Sequence, residues 1–340
     1  MKKLKNNQKG IALMAVLWVL VILIALATEF AFSMKMEVNT TRNHKEDMES
    51  YYLSKAGFNL ALAEIYPKAF FHSIHEEHGL IIGSNKPAET GTSPSYSERE
   101  GESDQKKEMG QHFDIVNRND IELENGTVTY KIIDENGKIS INSADKDTLI
   151  KLLEYSGVED KIERSTISDS ILDWIDADKN HRLNGAEDDY YQRQNPPYYA
   201  KNGRVETMDE LLKIRGMTKE ILYGSQDEVE AEDKKYRGIA NYLTVYKIPT
   251  INPNTASKEV LRILFPLGQV TEILENKAKK GYHSNTLSSV FRIISTGKIA
   301  NSPTKHRIEA VVEKFFTGEK PKIVIHFWND NVLNLSLIHI

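Results

Sequence analysis

Residues 11–27 read IALMAVLWVLVILIALA, a run of seventeen residues that contains no charged side chain. At about 1.5 Å of rise per residue, a helix over this run and Thr28 is about 27 Å long, close to the ~30 Å hydrocarbon core of a bilayer. The run therefore predicts a single membrane-spanning helix over residues 11–28. The rest of the chain must either continue this helix or fold outside the membrane.

The leader before this run, MKKLKNNQKG at residues 1–10, carries four lysines and no acidic residue. Lysine-rich flanks stay on the cytoplasmic side of a membrane, so the sequence predicts a cytoplasmic N-terminus and a periplasmic body. A cleaved secretory signal peptide would have a shorter apolar region that ends at a small-residue site. Here the run continues without Pro or Gly, and Phe30, Met34 and Val38 keep helical spacing. We expect a stem helix over residues 29–66 that ends before Pro67.

Composition limits the functional classes. A chain of 340 residues has room for two or three domains. Its formal net charge is −5 and becomes more negative without the lysine-rich leader, which argues against a nucleic-acid binder. The chain has no cysteine, so disulfides and thiol-ligated metals are excluded. We found no nucleophile, zinc-protease or phosphate-cradling motif, and we predict a protein that is not an enzyme and has no catalytic residues.

After the stem the sequence changes character twice. Residues 83–111 are rich in Gly, Ser, Pro and charge, which predicts a flexible loop. Residues 113–142 alternate apolar and polar side chains, with the turn pairs Asn125-Gly126 and Asn136-Gly137 between the alternating runs. This pattern predicts a three-stranded antiparallel meander.

Residues 143–304 are predicted to form an inserted helical domain. An internal repeat relates residues 139–153 to residues 251–265 at a constant offset of 112, and Ser143 or Thr255 is the expected helix cap in each copy. A further pair of helices is predicted within 205–224, with a tight turn at Arg215-Gly216-Met217 and Thr218 capping the second helix. These units resemble the helix-hairpin-helix elements of SAM-like domains.

The C-terminal part alternates again over residues 305–328, which predicts a hairpin of two strands, although 305–316 also suits a helix. The expected fold class is therefore α+β: a pilin-like long N-terminal helix with an antiparallel sheet, into which a large all-α domain of the SAM-like or helix-hairpin-helix type is inserted.

The densest polar motif is ILDWIDADKNHRLNGAEDDYY at residues 171–191. Its oxygen donors have the spacing of a twelve-residue EF-hand loop, although His181 stands where Gly is usual. Hard oxygens at this spacing favour Ca²⁺ over Mg²⁺, because Mg²⁺ prefers fewer protein ligands and more water. The alternative is a solvated acidic loop. The predicted metal ligands are Asp176, Asp178, Asn180, the backbone carbonyl of Arg182, Asn184, Glu187 and Asp188, with Asp173 and Asp189 available for a second ion.

A second possible metal-binding group is weaker. His72, His75 and His78 have helical spacing in a Glu-rich stretch, but the sequence places no fourth donor beside them. We interpret them as surface histidines.

Three features together carry a resemblance to a known family. The junction Lys9-Gly10-Ile11, followed by a long helix half in the membrane, resembles the N-terminus of type IV pilins and type II secretion pseudopilins. Most of these proteins have Glu at the fifth position after the junction, and here that position is Ala15. With YYLSKAG at residues 51–57 and the acidic run at 176–188, the chain resembles the general secretion pathway protein K family of minor pseudopilins, whose members typically lack that Glu.

The resemblance implies a function and a set of partners. It implies cleavage after Gly10 by the prepilin peptidase, methylation of the new amino group on Ile11, and calcium in the inserted domain. It also implies a structural role at the tip of the type II secretion pseudopilus, in contact with minor pseudopilins I and J and then H, on the inner-membrane assembly platform, without nucleic acid.

Two other functions stay open at this point. A membrane-anchored helix-hairpin-helix protein of a competence-like system would bind DNA, although the acidic balance and the single glycine of the hairpin argue against it. A calcium-dependent hydrolase on a membrane stem is the other alternative, and it lacks any nucleophile motif.

Overall fold

The computed structural model describes residues 8–75, 79–83, 116–225, 236–317 and 320–330. The first helix, α1, runs without a break over Gln8–Ile65, 58 residues or about 87 Å. It is the one helix of the described chain that is long and apolar enough to cross a membrane. The predicted continuous stem is thus confirmed, and it ends just before Pro67 as expected. The predicted flexible loop lies outside the described residues from residue 84 onward.

Within the described residues, nine strands and six further helices follow α1. The strands are β1 (Phe71–His75), β2 (Gly79–Gly83), β3 (Ile121–Leu123), β4 (Gly126–Asp134), β5 (Ile139–Ser140), β6 (Leu243–Thr244), β7 (Val290–Ile299), β8 (Lys305–Thr317) and β9 (Lys320–Asn329). The helices are α2 (Lys146–Ser156), α3 (Lys161–Ile175), α4 (Asp188–Tyr191), α5 (Lys219–Tyr223), α6 (Lys258–Leu264) and α7 (Leu267–Lys280). Short 3-10 turns cover Glu135–Gly137, Met208–Lys213 and Ala240–Tyr242.

The second half of α1 packs on a five-stranded antiparallel sheet with the order β3-β4-β7-β8-β9. Phe58, Ala61 and Ile65 of the helix share one apolar core with side chains of β4, β7 and β8. Close approach depends on Gly297 of β7, where a side-chain carbon would collide with the backbone of α1. The first half of α1 has no such cover: Trp18, for example, is 66 % exposed.

The helical insertion has a core of its own, formed by buried side chains of α2, α3, α5, α6 and α7 that include Leu149, Ile167 and Leu261. Its entry segment, β5, pairs in parallel with β6, which lies within the insertion before α6, and this pairing joins Ile139 to Leu243. An antiparallel sheet on a long helix, with a separate helical body, is the predicted α+β architecture.

The predicted three-stranded meander is wrong in its third strand. β3 and β4 form the expected antiparallel hairpin, but β5 pairs with β6 and not with β4. The reason is the buried side chain of Asn136, whose Oδ1 accepts hydrogen bonds from the backbone N–H groups of Ser289 and Val290, each at 3.0 Å. The turn at Asn136-Gly137 is therefore held against the segment that leads into β7, and it directs the chain into the insertion.

The predicted range of the helical domain, 143–304, is also too long. The helices end at Lys280, and β7 lies inside the predicted range as a central strand between β4 and β8. The C-terminal hairpin is confirmed, and residues 305–316 belong to a strand and not to a helix.

The repeat-related helices begin two residues later than predicted. Their caps are Asp145 and Ser257, which keep the offset of 112, and not Ser143 and Thr255. Thr255 is engaged elsewhere, because its hydroxyl donates to Asp134 Oδ2 at 2.6 Å. In the middle pair, the first helix is a 3-10 turn, whereas the cap of α5 by Thr218 is confirmed.

Candidate metal centre

The acidic loop connects a fifteen-residue helix to a single helical turn of four residues. α3 ends at Ile175, with Asp176 as the capping residue, and α4 begins at Asp188, directly after Glu187. The twelve residues 176–187 therefore form the whole connection. Asp173, in the last turn of α3, faces back into the loop, because both of its carboxylate oxygens accept the backbone N–H of Arg182, at 3.1 and 3.2 Å.

The centre of the loop holds the guanidinium of Arg182. Its Nη1 lies 2.6 Å from Asp173 Oδ1 and 2.6 Å from Asp176 Oδ2. Sequence reasoning assigned only the carbonyl of this residue a role, and that carbonyl accepts the N–H of Gly185 at 3.0 Å. The side chain thus supplies one positive charge to two carboxylates that would otherwise repel each other.

Glu187 is the unusual group of the site. It is 2 % exposed, yet within the described part of the chain neither Oε1 nor Oε2 has a hydrogen-bond partner, and Asp176 Oδ1 is buried without one as well. Burial, together with the nearby charges of Asp173 and Asp176, raises the pKa of Glu187 to about 7. A buried carboxylate without donors is unfavourable, so this arrangement suits a cation that is not supplied by the chain.

Other predicted ligands have partners within the protein. Asn184 donates from N and Nδ2 to Asp169 Oδ2, both at 3.3 Å. Asp188 accepts the N–H of Ala200 at 3.0 Å and lies 3.3 Å from Lys179 Nζ.

The outermost predicted ligands stay at the surface. Asp178 Oδ1 accepts the N–H of Asn180 at 2.8 Å, and Asp189 pairs with Arg193 at 3.2 Å. In this arrangement, no group of three or more His, Asp or Glu side chains among the described residues is positioned to hold a metal ion. The fold thus pairs Asp173 and Asp176 with Arg182, buries Glu187 without a partner, and leaves the surface positions apart.

Two functional residues were missed by sequence reasoning. Asp169 is buried in α3, pairs with Lys146 Nζ at 2.7 Å and anchors the loop through Asn184. It stands four residues before Asp173, on the same helix face, and that spacing was a usable signal. Arg215 donates to the carbonyl of Gly185 at 3.0 Å and lies 4.9 Å from the ring centroid of Tyr190.

The predicted hairpin at 215–217 therefore packs against the acidic loop. The N–H of Arg215 donates to the hydroxyl of Tyr191 at 3.4 Å, and the N–H of Met217 donates to Ile214 at 3.1 Å. Gly216 adopts a φ of +84°, which brings it against Ile167. Because two of its three N–H groups bond within the protein, this hairpin does not present the backbone donors that a DNA phosphate would need.

The remaining predicted positions lie on α1 and β1. Gly10 and Ile11 are in the first turns of α1, where their processing stays a prediction. The surface interpretation is wrong for His72, which lies in strand β1, is 2 % exposed and accepts the N–H of Ser288 at 2.8 Å. His75 is exposed in the same strand, and His78 lies outside the described residues.

Comparison with known proteins agrees with this architecture. Residues 119–224, which contain the acidic loop, match the family model of type II secretion system (T2SS), protein K. This part of the chain is therefore similar to the protein K family of type II secretion systems. This is a family of structural secretion components and not an enzyme family.

Relatives within the family are distant. A protein K of Escherichia coli strain K12 is 26 % identical over 232 residues, 64 % of this chain and 61 % of its own length. The type II secretion system protein K of Pseudomonas aeruginosa is 25 % identical over 47 % of each chain, and that of Aeromonas hydrophila is 23 % identical over 82 % of this chain and 78 % of its own. The chain thus spans about half to three fifths of the first two relatives.

A solved structure shows the same fold. The crystal structure of the GspK-GspI-GspJ complex from the enterotoxigenic Escherichia coli type 2 secretion system contains a chain that superposes with a TM-score of 0.53. The match covers 86 % of this chain and 100 % of the other at 15 % identity.

Proposed function

We propose that this protein is a minor pseudopilin at the tip of a type II secretion pseudopilus, a structural part of protein export. The observation that carries the proposal is the two-part character of α1. Its second half is packed on its own sheet, whereas the apolar first half is exposed along its length. An exposed apolar helix of this kind needs a membrane before assembly and neighbouring stem helices after it.

The tip position follows from two features. Ala15 supplies no carboxylate to pair with the amino terminus of a subunit above it, and the helical insertion adds a large body to the pilin-like sheet. The expected neighbours are minor pseudopilins I and J, with H below them, on the inner-membrane assembly platform. The fold neighbour supports this choice, because that protein was crystallised in a complex with I and J subunits.

The lysine-rich leader gives the orientation and the processing. The N-terminus is placed in the cytoplasm and the body in the periplasm, and prepilin peptidase cuts after Gly10 and methylates Ile11. Mass spectrometry of the chain co-produced with the peptidase should find methyl-isoleucine at the N-terminus. An intact Met1, or a cut at another site, would refute this part of the proposal.

The assembly role is tested with the full chain in detergent, mixed with purified minor pseudopilins I and J. A stoichiometric ternary complex is expected, together with restored secretion when the chain is supplied to a strain that lacks its own protein K. A variant with a charged residue in the stem, Ala15→Glu, serves as the matched comparison for the tip position. If no complex forms in either calcium or chelator, the tip assignment fails.

We propose further that the acidic loop binds Ca²⁺, which supplies positive charge to the buried carboxylates. The support is the set of unpartnered oxygens on Glu187 and Asp176. The residues that would hold the ion are Asp176, Asp178, Asn180, the carbonyl of Arg182, Asn184, Glu187 and Asp188, with Asp173 and Asp189 for a second ion. Binding requires the Arg182 guanidinium to leave its position between Asp173 and Asp176.

The calcium site is tested by thermal unfolding with calcium and with chelator. Asp176→Ala combined with Asp178→Ala should abolish the calcium-dependent rise in melting temperature. Glu275→Ala, which removes an exposed carboxylate on α7, should leave that rise unchanged. A full calcium response in the double variant would remove these residues from the ligand set.

A further inference from the structure

A large groove separates the sheet from the helical insertion. One wall is formed by β4, the other by α6 and α7, and the hairpin β1–β2 contributes apolar side chains. Its volume is about 1660 Å³. Sites for small molecules have volumes of roughly 300 to 1,000 Å³, so this groove is better matched to a segment of polypeptide.

The charges that line the groove have one sign. The described lining includes Lys131, Lys258, Lys277 and Arg118, and none of its residues is Asp or Glu. Arg118 is already neutralised by Glu64, to which it donates twice. The side-chain amines of the three lysines, in contrast, have no ion pair or hydrogen bond within the described residues.

The most enclosed of these lysines is Lys277. Burial lowers the pKa of its amine. An unpaired amine in such surroundings gains more from a carboxylate than an exposed lysine does, because the interaction is less screened by water.

Apolar side chains lie between the charges. Ile74 is 49 % exposed and Val116 is 37 % exposed, and both line the groove beside the half-buried Leu274. A ligand that fits this surface must carry both carboxylates and apolar side chains.

We propose that this groove binds an acidic segment of a partner protein, in which glutamate or aspartate residues flank one or two apolar residues. The carboxylates pair with Lys131, Lys258 and Lys277, and the apolar side chains cover Ile74 and Val116. The site is separate from the acidic loop and from the exposed stem, and it does not depend on the pseudopilin role.

The test uses the full chain in lipid nanodiscs and a fluorescein-labelled peptide, Glu-Glu-Leu-Glu-Phe-Glu-Glu, with empty nanodiscs as the blank. Fluorescence anisotropy should show binding that weakens as salt is raised, and the isosteric peptide with Gln for Glu should bind at least tenfold more weakly. The double variant Lys131→Gln with Lys277→Gln should bind the acidic peptide at least tenfold more weakly. The control variant, Lys219→Gln with Lys280→Gln, changes exposed positions on helices of the same domain and should leave the affinity for the peptide unchanged.

Four outcomes would overturn the proposal. The first is no binding, and the second is binding that survives the groove substitutions. The third is tighter binding of oligo-dT at the same lysines, which would assign the groove to nucleic acid. The fourth is that deletion of residues 86–112 strengthens peptide binding at least tenfold, because the chain's own segment would then be the occupant. Thermal unfolding of each lysine variant checks that a loss of binding is not a loss of fold.

Discussion

Asp134 and Glu187, two of the buried carboxylates of the described chain, have different surroundings. Asp134 accepts four hydrogen bonds: from the N–H of Asn136 at 2.8 Å, from Thr255 Oγ1 at 2.6 Å, from Asn252 Nδ2 at 3.2 Å and from Ser288 Oγ. Glu187 accepts none in the described structure and faces other carboxylates. Burial alone therefore does not decide whether a carboxylate has hydrogen-bond partners. Asp134 completes the fold, whereas Glu187 is suited to an added cation.

The network around Asp134 joins the three parts of the body. Asn252 also donates to the carbonyl of His72 at 3.1 Å and to Ser288 Oγ at 2.8 Å. Through these bonds the hairpin β1–β2, the end of β4 and the approach to α6 are held together. The network thereby fixes the helical insertion on the sheet, at the joint that also borders the basic groove.

The largest effect is expected from Glu187→Gln. A ligand at a thousandfold excess over its dissociation constant stabilises the folded state by about 4 kcal/mol, and the variant should lose most of this calcium contribution. In chelator it should be at least as stable as the parent, because a buried negative charge is gone. Urea unfolding under both conditions measures the difference, with Glu275→Gln as the control. An unchanged calcium contribution would show that Glu187 is not a ligand.

Asp134→Ala should have the next largest effect on the free energy of unfolding. It leaves the donors of Thr255, Asn252 and Ser288 without an acceptor, which corresponds to about 3 kcal/mol of lost unfolding free energy. The loss should be the same with calcium and with chelator, since no hydrogen bond of Asp134 involves the acidic loop. Asp120→Ala at the exposed turn before β3 is the control. A loss that appears only in calcium would contradict the distinction between the two carboxylates.

Asp169→Asn tests the anchor of the acidic loop. Loss of the pair with Lys146 should lower the unfolding free energy by about 2 kcal/mol in chelator, because the aspartate is buried while the lysine is half exposed. Calcium affinity should fall a few-fold, because the single oxygen of the amide cannot serve both Lys146 and Asn184, and isothermal titration can measure the change. The control Glu154→Gln, at an exposed position on α2, should change neither the unfolding free energy nor the calcium affinity. Normal calcium affinity in Asp169→Asn would mean that the anchor does not shape the site.

The smallest expected effect is the contribution of His72 to the pH dependence of stability. Burial, aided by Lys314, lowers the pKa of His72 to about 3, so the folded protein keeps this ring neutral while the unfolded chain binds a proton near pH 6.5. Stability is therefore lost as pH falls below 6.5, by about 1 kcal/mol between pH 7.5 and 5.5. His72→Gln should remove this part of the slope in urea unfolding, and His44→Gln on the exposed face of α1 should keep it. An identical slope in both variants would exclude His72 as its source.

Local patterns predicted much of this structure. The span of α1, the β3–β4 hairpin, the C-terminal hairpin and the cap at Thr218 all depend on spacing within a few residues. The spacing of the candidate ligands over residues 176–187 was equally local. The pairing of β5 could not be predicted locally. It depends on Asn136, whose side chain is hydrogen-bonded to residues 153 and 154 positions further along the chain.

By itself, the sequence determined the stem, the α+β class and the spacing of candidate ligands, since all three are properties of neighbouring residues along the chain. Tertiary structure alone decided which buried carboxylate is satisfied. The donors to Asp134 come from Thr255 and Ser288, 121 and 154 residues further along, and no comparable donors reach Glu187 in the described structure. A hydrogen bond requires contact at about 3 Å, and only the folded chain brings such distant groups together.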